Sequence, residues 1–190
     1  MIGLVLAGGK SKRMGVNKAS ICYHDQPQGV HVWEMLSNEG VETYLSLGQN
    51  STWAEAWDLP FILDLFLDYG PLGALFSAQA KFPDQSVLMI ACDMPLIGPK
   101  DIQTLIRNRK MESDVSLYTN VVRQQPEPLL SIWEASSQQS IAWAIGQKQL
   151  SVMKILDQLQ LHSIAHPDPE RFLNINTPDE RQNFQPSGGG

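Results

Sequence analysis

The sequence predicts an α/β fold in which a mostly parallel β-sheet carries helices on both faces. Two kinds of segment predict it: short runs typical of buried strands, and runs with apolar residues three and four positions apart, typical of helices. A third observation is that the two kinds alternate along the 190 residues, and this alternation is typical of parallel sheets. A chain of this length can bury a sizeable core as one domain.

Six segments have the composition of strands. The first, Ile2–Leu6 (IGLVL), is wholly apolar, as expected for a strand buried in a parallel sheet. The segment 86–91 (SVLMIA) has the clearest pattern, because its continuous apolar run ends just before Asp93. The remaining four are 41–47, 61–63, 115–118 and 129–133.

Four segments have the spacing of amphipathic helices. In 71–80, Leu72, Leu75 and Phe76 fall on one face, and a proline at position 71 suits a first helical turn. The segment 151–160 repeats the spacing, with Ser151 as the expected N-cap. The other two predicted helices are 30–36 and 99–109.

The organisation along the chain is simple. No internal repeat or interior linker divides it, so residues 1–185 are predicted to form a single domain. The final residues 186–190 (PSGGG) are predicted to be a disordered tail.

Composition excludes several classes of protein. A net charge of −6 argues against a nucleic-acid binder, and no apolar run approaches the roughly 20 residues of a membrane span. The first residues lack the long apolar stretch of a secretory signal. With only two cysteines, Cys22 and Cys92, we expect reduced thiols in a cytoplasmic protein.

The first candidate site follows the first strand, in residues 4–18 (LVLAGGKSKRMGVNK). Gly8 and Gly9 allow a ligand to approach the backbone closely, and successive amides in such a turn can bind an anion. Arg13 and Lys18 can add charge-assisted hydrogen bonds to phosphate. The spacing matches neither a Walker A loop nor G-x-G-x-x-G, and a glycine turn with solvated lysines is the structural alternative.

The second candidate is Asp93, which lies just past the strand predicted at 86–91. A carboxylate in that position is costly unless it is exposed, capped or bound to a metal. Mg²⁺ is commonly held by one or two carboxylates together with nucleotide phosphates. The alternative is a carboxylate that caps the turn before Pro95.

These motifs resemble a known family. Residues 6–18 resemble the L-A-G-G-x-S-x-R-M-G-x-x-K signature of nucleotidyltransferases that move NMP from NTP. Four other segments are similar to a narrower branch, the molybdenum cofactor guanylyltransferases: 64–72 (DLFLDYGPL), 91–95 (ACDMP), 127–130 (EPLL) and 172–178 (FLNINTP). The matches extend over nearly the whole chain in the family's order.

The resemblance implies a Rossmann-like three-layer nucleotidyltransferase domain that uses Mg²⁺. The implied small-molecule substrates are GTP and molybdopterin, with GMP attached to the terminal phosphate of molybdenum-carrying molybdopterin and pyrophosphate released. Molybdoenzymes or cofactor-insertion proteins would be candidate protein partners, whereas nucleic acid and membranes would not.

The resemblance also implies roles for individual residues. Backbone groups of four residues would contact guanine and the start of the phosphate chain: Leu6, Ala7, Gly8 and Gly9. The other implied roles are phosphate binding by Lys18, a nucleotide contact by Asp64 with Asp68 as a rival, Mg²⁺ binding by Asp93, and a pterin-facing position for Asn174 and Asn176.

The implied chemistry joins two anions, since an ionised phosphate attacks the α-phosphorus of GTP. Mg²⁺ on Asp93, with Arg13 and Lys18, would offset the repulsion and stabilise the leaving pyrophosphate, and no side-chain base is required. Physical reasoning does not decide whether the nucleotide carries guanine or cytosine, so cytidylyl transfer to the same acceptor stays an alternative. Sugar-phosphate nucleotidyl transfer and a non-catalytic cofactor carrier are the other two.

Overall fold

The computed structural model describes residues 1–8, 18–23, 25–48, 57–66, 68–120, 122, 124–173 and 175. Within them one sheet of seven strands runs in the order β3-β2-β1-β4-β6-β5-β7. Six strands are parallel to one another, and β6 is antiparallel to both of its neighbours. The strands are β1 Ile2–Leu6, β2 Glu42–Leu47, β3 Phe61–Leu63, β4 Val87–Ala91, β5 Val115–Asn120, β6 Gln125–Trp133 and β7 Leu161–His166.

Helices cover both faces of the sheet. They are α1 Gln28–Asn38, α2 Gly70–Lys81, α3 Pro99–Arg107, α4 Gln138–Gly146 and α5 Val152–Leu156, with short 3₁₀ turns at Lys18–Ser20, Ala135–Ser137 and Pro169–Phe172. None of the helices in the described part of the chain has the length and apolar character to cross a membrane.

Among the described residues, the core has two main clusters, one on each side of the sheet. Leu88 and Ile90 of β4 pack in the cluster that α1 and α3 cover, whereas Val87 and Met89 pack in the cluster that α2, α4 and α5 cover. Successive residues of a strand point to opposite faces, so a strand covered on both sides must be apolar throughout. The continuous apolar run that predicted this strand therefore reflects the three-layer packing.

The predicted mostly parallel sheet and all six predicted strands are confirmed, but two elements were missed. The strand β7 (LHSIAH) lies at a sheet edge and is half-exposed, so it lacks a clear apolar pattern. The helix α4 (QQSIAWAIG) carries an exposed Trp143 within its apolar residues, which blurs the helical spacing. That residues 1–185 form a single domain remains a prediction, and the tail predicted at 186–190 lies outside the described residues.

The predicted helix 151–160 is shorter than expected. Ser151 caps it as predicted, accepting a hydrogen bond from the Lys154 amide at 3.4 Å, but α5 ends at Leu156. The chain must turn after it to bring β7 alongside β5, and Asp114 Oδ2 accepts the Gln160 amide at 2.9 Å at this turn. Pairing with the sheet therefore overrides the local helical pattern.

Candidate functional site

Three loops meet at the carboxyl edge of the sheet. In the strand register Leu6 lies opposite both Ser46 of β2 and Ala91 of β4. Gly8 and Asp93 each lie two residues beyond this level, and Asp64 directly follows β3. Ligands in open α/β sheets bind beyond the carboxyl ends of the strands, so these loops form the candidate site.

Lys18 and Asp93, which belong to two separate sequence motifs, form an ion pair. Lys18 Nζ donates to Asp93 Oδ2 at 2.7 Å, and the two side chains are 24% and 15% exposed. The other carboxylate oxygen, Oδ1, is buried and has no hydrogen-bond partner among the described residues. A buried carboxylate oxygen without a partner is costly, so this atom is suited to a cation or donor that a ligand brings.

The free oxygen of the Asp93 carboxylate suits a divalent cation whose other coordinating atoms come from a bound molecule. Within the described part of the chain, no group of three or more His, Cys, Asp or Glu side chains could hold a metal by itself. Mg²⁺ is commonly bound through one or two carboxylates plus substrate phosphates and water, rather than by a full cage of protein ligands. The single free oxygen of Asp93 agrees with that arrangement.

Asp64 forms the second polar centre of the site. Its Oδ1 accepts a hydrogen bond from Ser46 Oγ at 2.8 Å, and its own amide donates to the Leu47 carbonyl at 2.8 Å. Burial raises the pKa of this carboxyl from 3.8 to about 6, although the Ser46 hydrogen bond acts in the opposite direction. A carboxylate whose pKa is raised by partial burial is a candidate for a binding or catalytic position.

Gly8 packs so closely that a larger residue would disturb the neighbouring loops. A Cβ atom at this position would lie 3.1 Å from the Gly48 nitrogen, 3.2 Å from the Ser46 carbonyl oxygen and 3.4 Å from Asp64 Oδ2. Ala7 beside it is buried in the core. The close approach of the Ser46 and Gly48 backbone therefore favours glycine at this position.

The structure places Asp64, rather than Asp68, beside the first loop. Asp68 lies four residues further along, is exposed, and has a backbone φ of 67°. The predicted site residues Gly9, Arg13, Asn174 and Asn176 lie outside the described residues.

Cys92 is next to Asp93 but is poorly suited to act as a nucleophile. The thiol is buried, and its burial, assisted by the charge of Asp93, raises its pKa to about 12. The thiolate is the reactive form of cysteine, so this thiol is inert near neutral pH. Cys22 is exposed, and both cysteines are free, as predicted.

Two residues at the site were not predicted. Ser46 orients Asp64, and its only sequence signal is a hydroxyl within the otherwise apolar end of β2. Ile175 donates its amide to the Asp93 carbonyl at 3.0 Å. An apolar residue whose backbone supports a site leaves no signal in the sequence.

Comparison with known proteins gives consistent similarities. Residues 3–164 match the MobA-like NTP transferase domain. A molybdenum cofactor biosynthesis bifunctional protein of Synechocystis sp. is 29% identical over 95% of this chain, which spans 52% of that protein, about half its length. The molybdenum cofactor guanylyltransferase of Vibrio cholerae is 27% identical, over 95% of this chain and 89% of that protein.

A solved structure has the same fold. The crystal structure of molybdopterin-guanine dinucleotide biosynthesis protein A from Archaeoglobus fulgidus superimposes with a TM-score of 0.77 and 24% identity, covering 96% of each chain. The Rossmann-like three-layer fold expected from the sequence is thus confirmed.

Proposed function

The chain belongs to the MobA-like NTP transferase family, and from this premise we propose that it transfers GMP from GTP to molybdenum-carrying molybdopterin, releasing pyrophosphate. The observation that carries the proposal is the Lys18–Asp93 pair at the carboxyl edge of the sheet, with a buried carboxylate oxygen left unpartnered. The relatives named molybdenum cofactor guanylyltransferase support the choice of nucleotide and acceptor.

Some of the proposed site residues would bind the nucleotide, and others would stabilise negative charge on its phosphates. Backbone groups of Leu6, Ala7 and Gly8 would contact the guanine and the start of the phosphate chain, because the close packing at Gly8 leaves backbone there rather than side chain. Asp64 would accept hydrogen bonds from the nucleotide. We assign Gly9 to the same set on the sequence motif alone.

Charge compensation dominates the proposed chemistry. The acceptor phosphate is already ionised, so its attack on the α-phosphorus of GTP needs no side-chain base. Lys18 would stabilise negative charge on the phosphate chain and on the leaving pyrophosphate, and Arg13 is proposed to share this role. Asn174 and Asn176 are proposed to face the pterin.

A divalent metal is expected for this family, and we propose Mg²⁺ held by Asp93. Such an ion would neutralise negative charge that develops on the phosphate chain. Lys18 bonds only one carboxylate oxygen, Oδ2, which leaves Oδ1 for the ion. Asp93 could therefore bind the metal while it keeps its contact with Lys18.

The remaining proposals concern partners and location. GTP and molybdopterin are the proposed small-molecule substrates, and molybdoenzymes or cofactor-insertion proteins the proposed protein partners. We propose that the protein acts in the cytoplasm and binds neither nucleic acid nor membranes.

The test is turnover of GTP with Mg²⁺ and molybdenum-charged molybdopterin, using wild type and Asp93→Ala. Exposed Asp84→Ala is the matched control, since it removes the same charge away from the site. We expect pyrophosphate release by wild type and the control, and a loss of orders of magnitude in Asp93→Ala. A wild-type protein that consumes no GTP would contradict the proposal.

Separate experiments test which nucleotide the protein selects and which molecule accepts the nucleotidyl group. Calorimetric titration of GTP, CTP and ATP in the presence of Mg²⁺ should show selective binding of GTP. Selectivity for CTP would redirect the proposal to a cytosine dinucleotide product, and turnover of a sugar phosphate would redirect it to another acceptor. If Asp93→Ala binds molybdopterin normally and wild type turns nothing over, the protein would be a carrier.

A further inference from the structure

Ile175 touches the backbone of Asp93. Its amide donates to the Asp93 carbonyl oxygen at 3.0 Å, although the two residues are far apart in the chain. The loop after β4 contains Asp93, the residue proposed to bind the metal, and this hydrogen bond holds the loop at that residue. The carboxylate of Asp93 depends on this backbone for its position.

The side chain of Ile175 packs on the segment that carries Lys18. Ile175, Ile21 and Tyr23 form a small hydrophobic cluster with exposures of 6%, 3% and 8%. Ile21 follows the short 3₁₀ turn at Lys18–Ser20 and donates its amide to the Lys18 carbonyl at 3.2 Å. Packing against Ile175 therefore fixes the turn from which Lys18 extends.

Residues shortly before Ile175 in the chain are also anchored, one of them to the Asp93 loop. Arg171 Nη1 donates to the Leu96 carbonyl oxygen at 2.7 Å. Phe172 is buried and its ring lies 5.4 Å from that of Tyr118 and 4.9 Å from that of His166. These contacts hold Arg171 and Phe172, which lie close to Ile175 in the sequence, against neighbouring elements.

From these contacts we infer that Ile175 is a positioning residue that sets the Asp93 carboxylate opposite the Lys18 ammonium. Its amide holds one partner of the ion pair and its side chain holds the turn that carries the other. The inference rests on the proposed function, because the distance between these two charges matters only if both act on the same substrate phosphates. Displacement of reacting groups by about 1 Å can cost about 100-fold in rate.

This role differs from that of an ordinary core residue. The Ile21–Tyr23–Ile175 cluster is separate from the two main clusters that pack against the sheet. Trimming Ile175 is therefore expected to loosen the site while the main core stays intact. Trimming Ile155, a main-core residue of α5, is expected to reduce stability and leave the site geometry unchanged.

The test compares Ile175→Ala with two controls and a conservative variant. Ile155→Ala removes the same atoms from a fully packed position in a main core cluster, where Ile155 is 1% exposed. Leu173→Ala removes an exposed side chain, 49% accessible, from the same segment as Ile175. Ile175→Val keeps most of the packing and should restore most of the activity.

We expect kcat for GTP-dependent turnover to fall about 10- to 100-fold in Ile175→Ala, with a smaller loss of the affinity for GTP measured without Mg²⁺. Both controls should keep the wild-type kcat per folded molecule. Wild-type kcat in Ile175→Ala, or an equal loss in Ile155→Ala, would overturn the inference.

Hydrogen–deuterium exchange supplies a readout that does not require turnover. Amides of residues 18–23, which carry the side chains that pack on Ile175, should exchange faster in Ile175→Ala than in wild type, and should be unaffected in Ile155→Ala. If wild type turns over no GTP but this difference is present, the proposed function fails while the positioning by Ile175 is supported. Equal exchange in the two variants would overturn the positioning itself.

Discussion

Replacing Asp64 with asparagine is expected to stabilise the protein above pH 6 and to weaken its binding of GTP. The fold raises the pKa of this carboxyl from 3.8 to about 6, mainly through burial. A shift of roughly two pKa units corresponds to about 3 kcal/mol of cost for holding the ionised form. The side chain is partly exposed, so solvent screening reduces the expected gain on neutralisation to about 1–2 kcal/mol.

The gain should depend on pH in a defined direction. Below pH 3.8 the native and unfolded forms of Asp64 are both protonated, so wild type and Asp64→Asn should differ little. As the pH rises from 3.8 to about 6, the unfolded chain loses its proton first and the wild type loses stability. Above that range the loss is complete and the advantage of the variant reaches its plateau.

Thermal unfolding between pH 4 and pH 8 measures the effect. For a chain of this size, about 1–2 kcal/mol corresponds to a rise in Tm of roughly 2–8 °C. Asparagine keeps an oxygen that can accept the Ser46 hydroxyl, so that hydrogen bond should persist. Exposed Asp68→Asn is the matched control and should change neither Tm nor GTP binding. A variant that is no more stable than wild type at pH 8, or a gain independent of pH, would refute the reasoning.

Three further outcomes are expected. Lys18→Ala should lower the free energy of unfolding by about 1–2 kcal/mol in metal-free buffer, because the half-buried charge of Asp93 loses its partner. Urea unfolding measures this loss, and the double variant with Asp93→Asn should recover part of it. Gly8→Ala should cost about 1 kcal/mol and weaken GTP binding, since the new Cβ would press on the Ser46 carbonyl at 3.2 Å; unchanged affinity would count against a nucleotide at this loop. Iodoacetamide at neutral pH should alkylate the folded protein once, at exposed Cys22, and the unfolded protein twice; a doubly modified native mass would show that the buried thiol is accessible.

The candidate site was predictable where its signals are local. Gly8, two residues after one apolar strand, and Asp93, two residues after another, can be identified without knowing the fold, and both lie at the same edge of the sheet. The choice between Asp64 and Asp68 could not be made this way. It depends on which carboxylate reaches Ser46 and Gly8, and those residues belong to other strands or loops.

The sequence alone determined the layers of this protein and the residue types of its site. A strand that is apolar on both faces requires helices above and below it, and this requirement is visible in β4 itself. The tertiary structure alone determined the placement of antiparallel β6 between β4 and β5, the edge strand β7, and the contacts across the site. Lys18 and Asp93 are 75 residues apart in the chain and 2.7 Å apart in space. Strand order and register create such a contact, because neither residue carries in its own neighbourhood any information about the other.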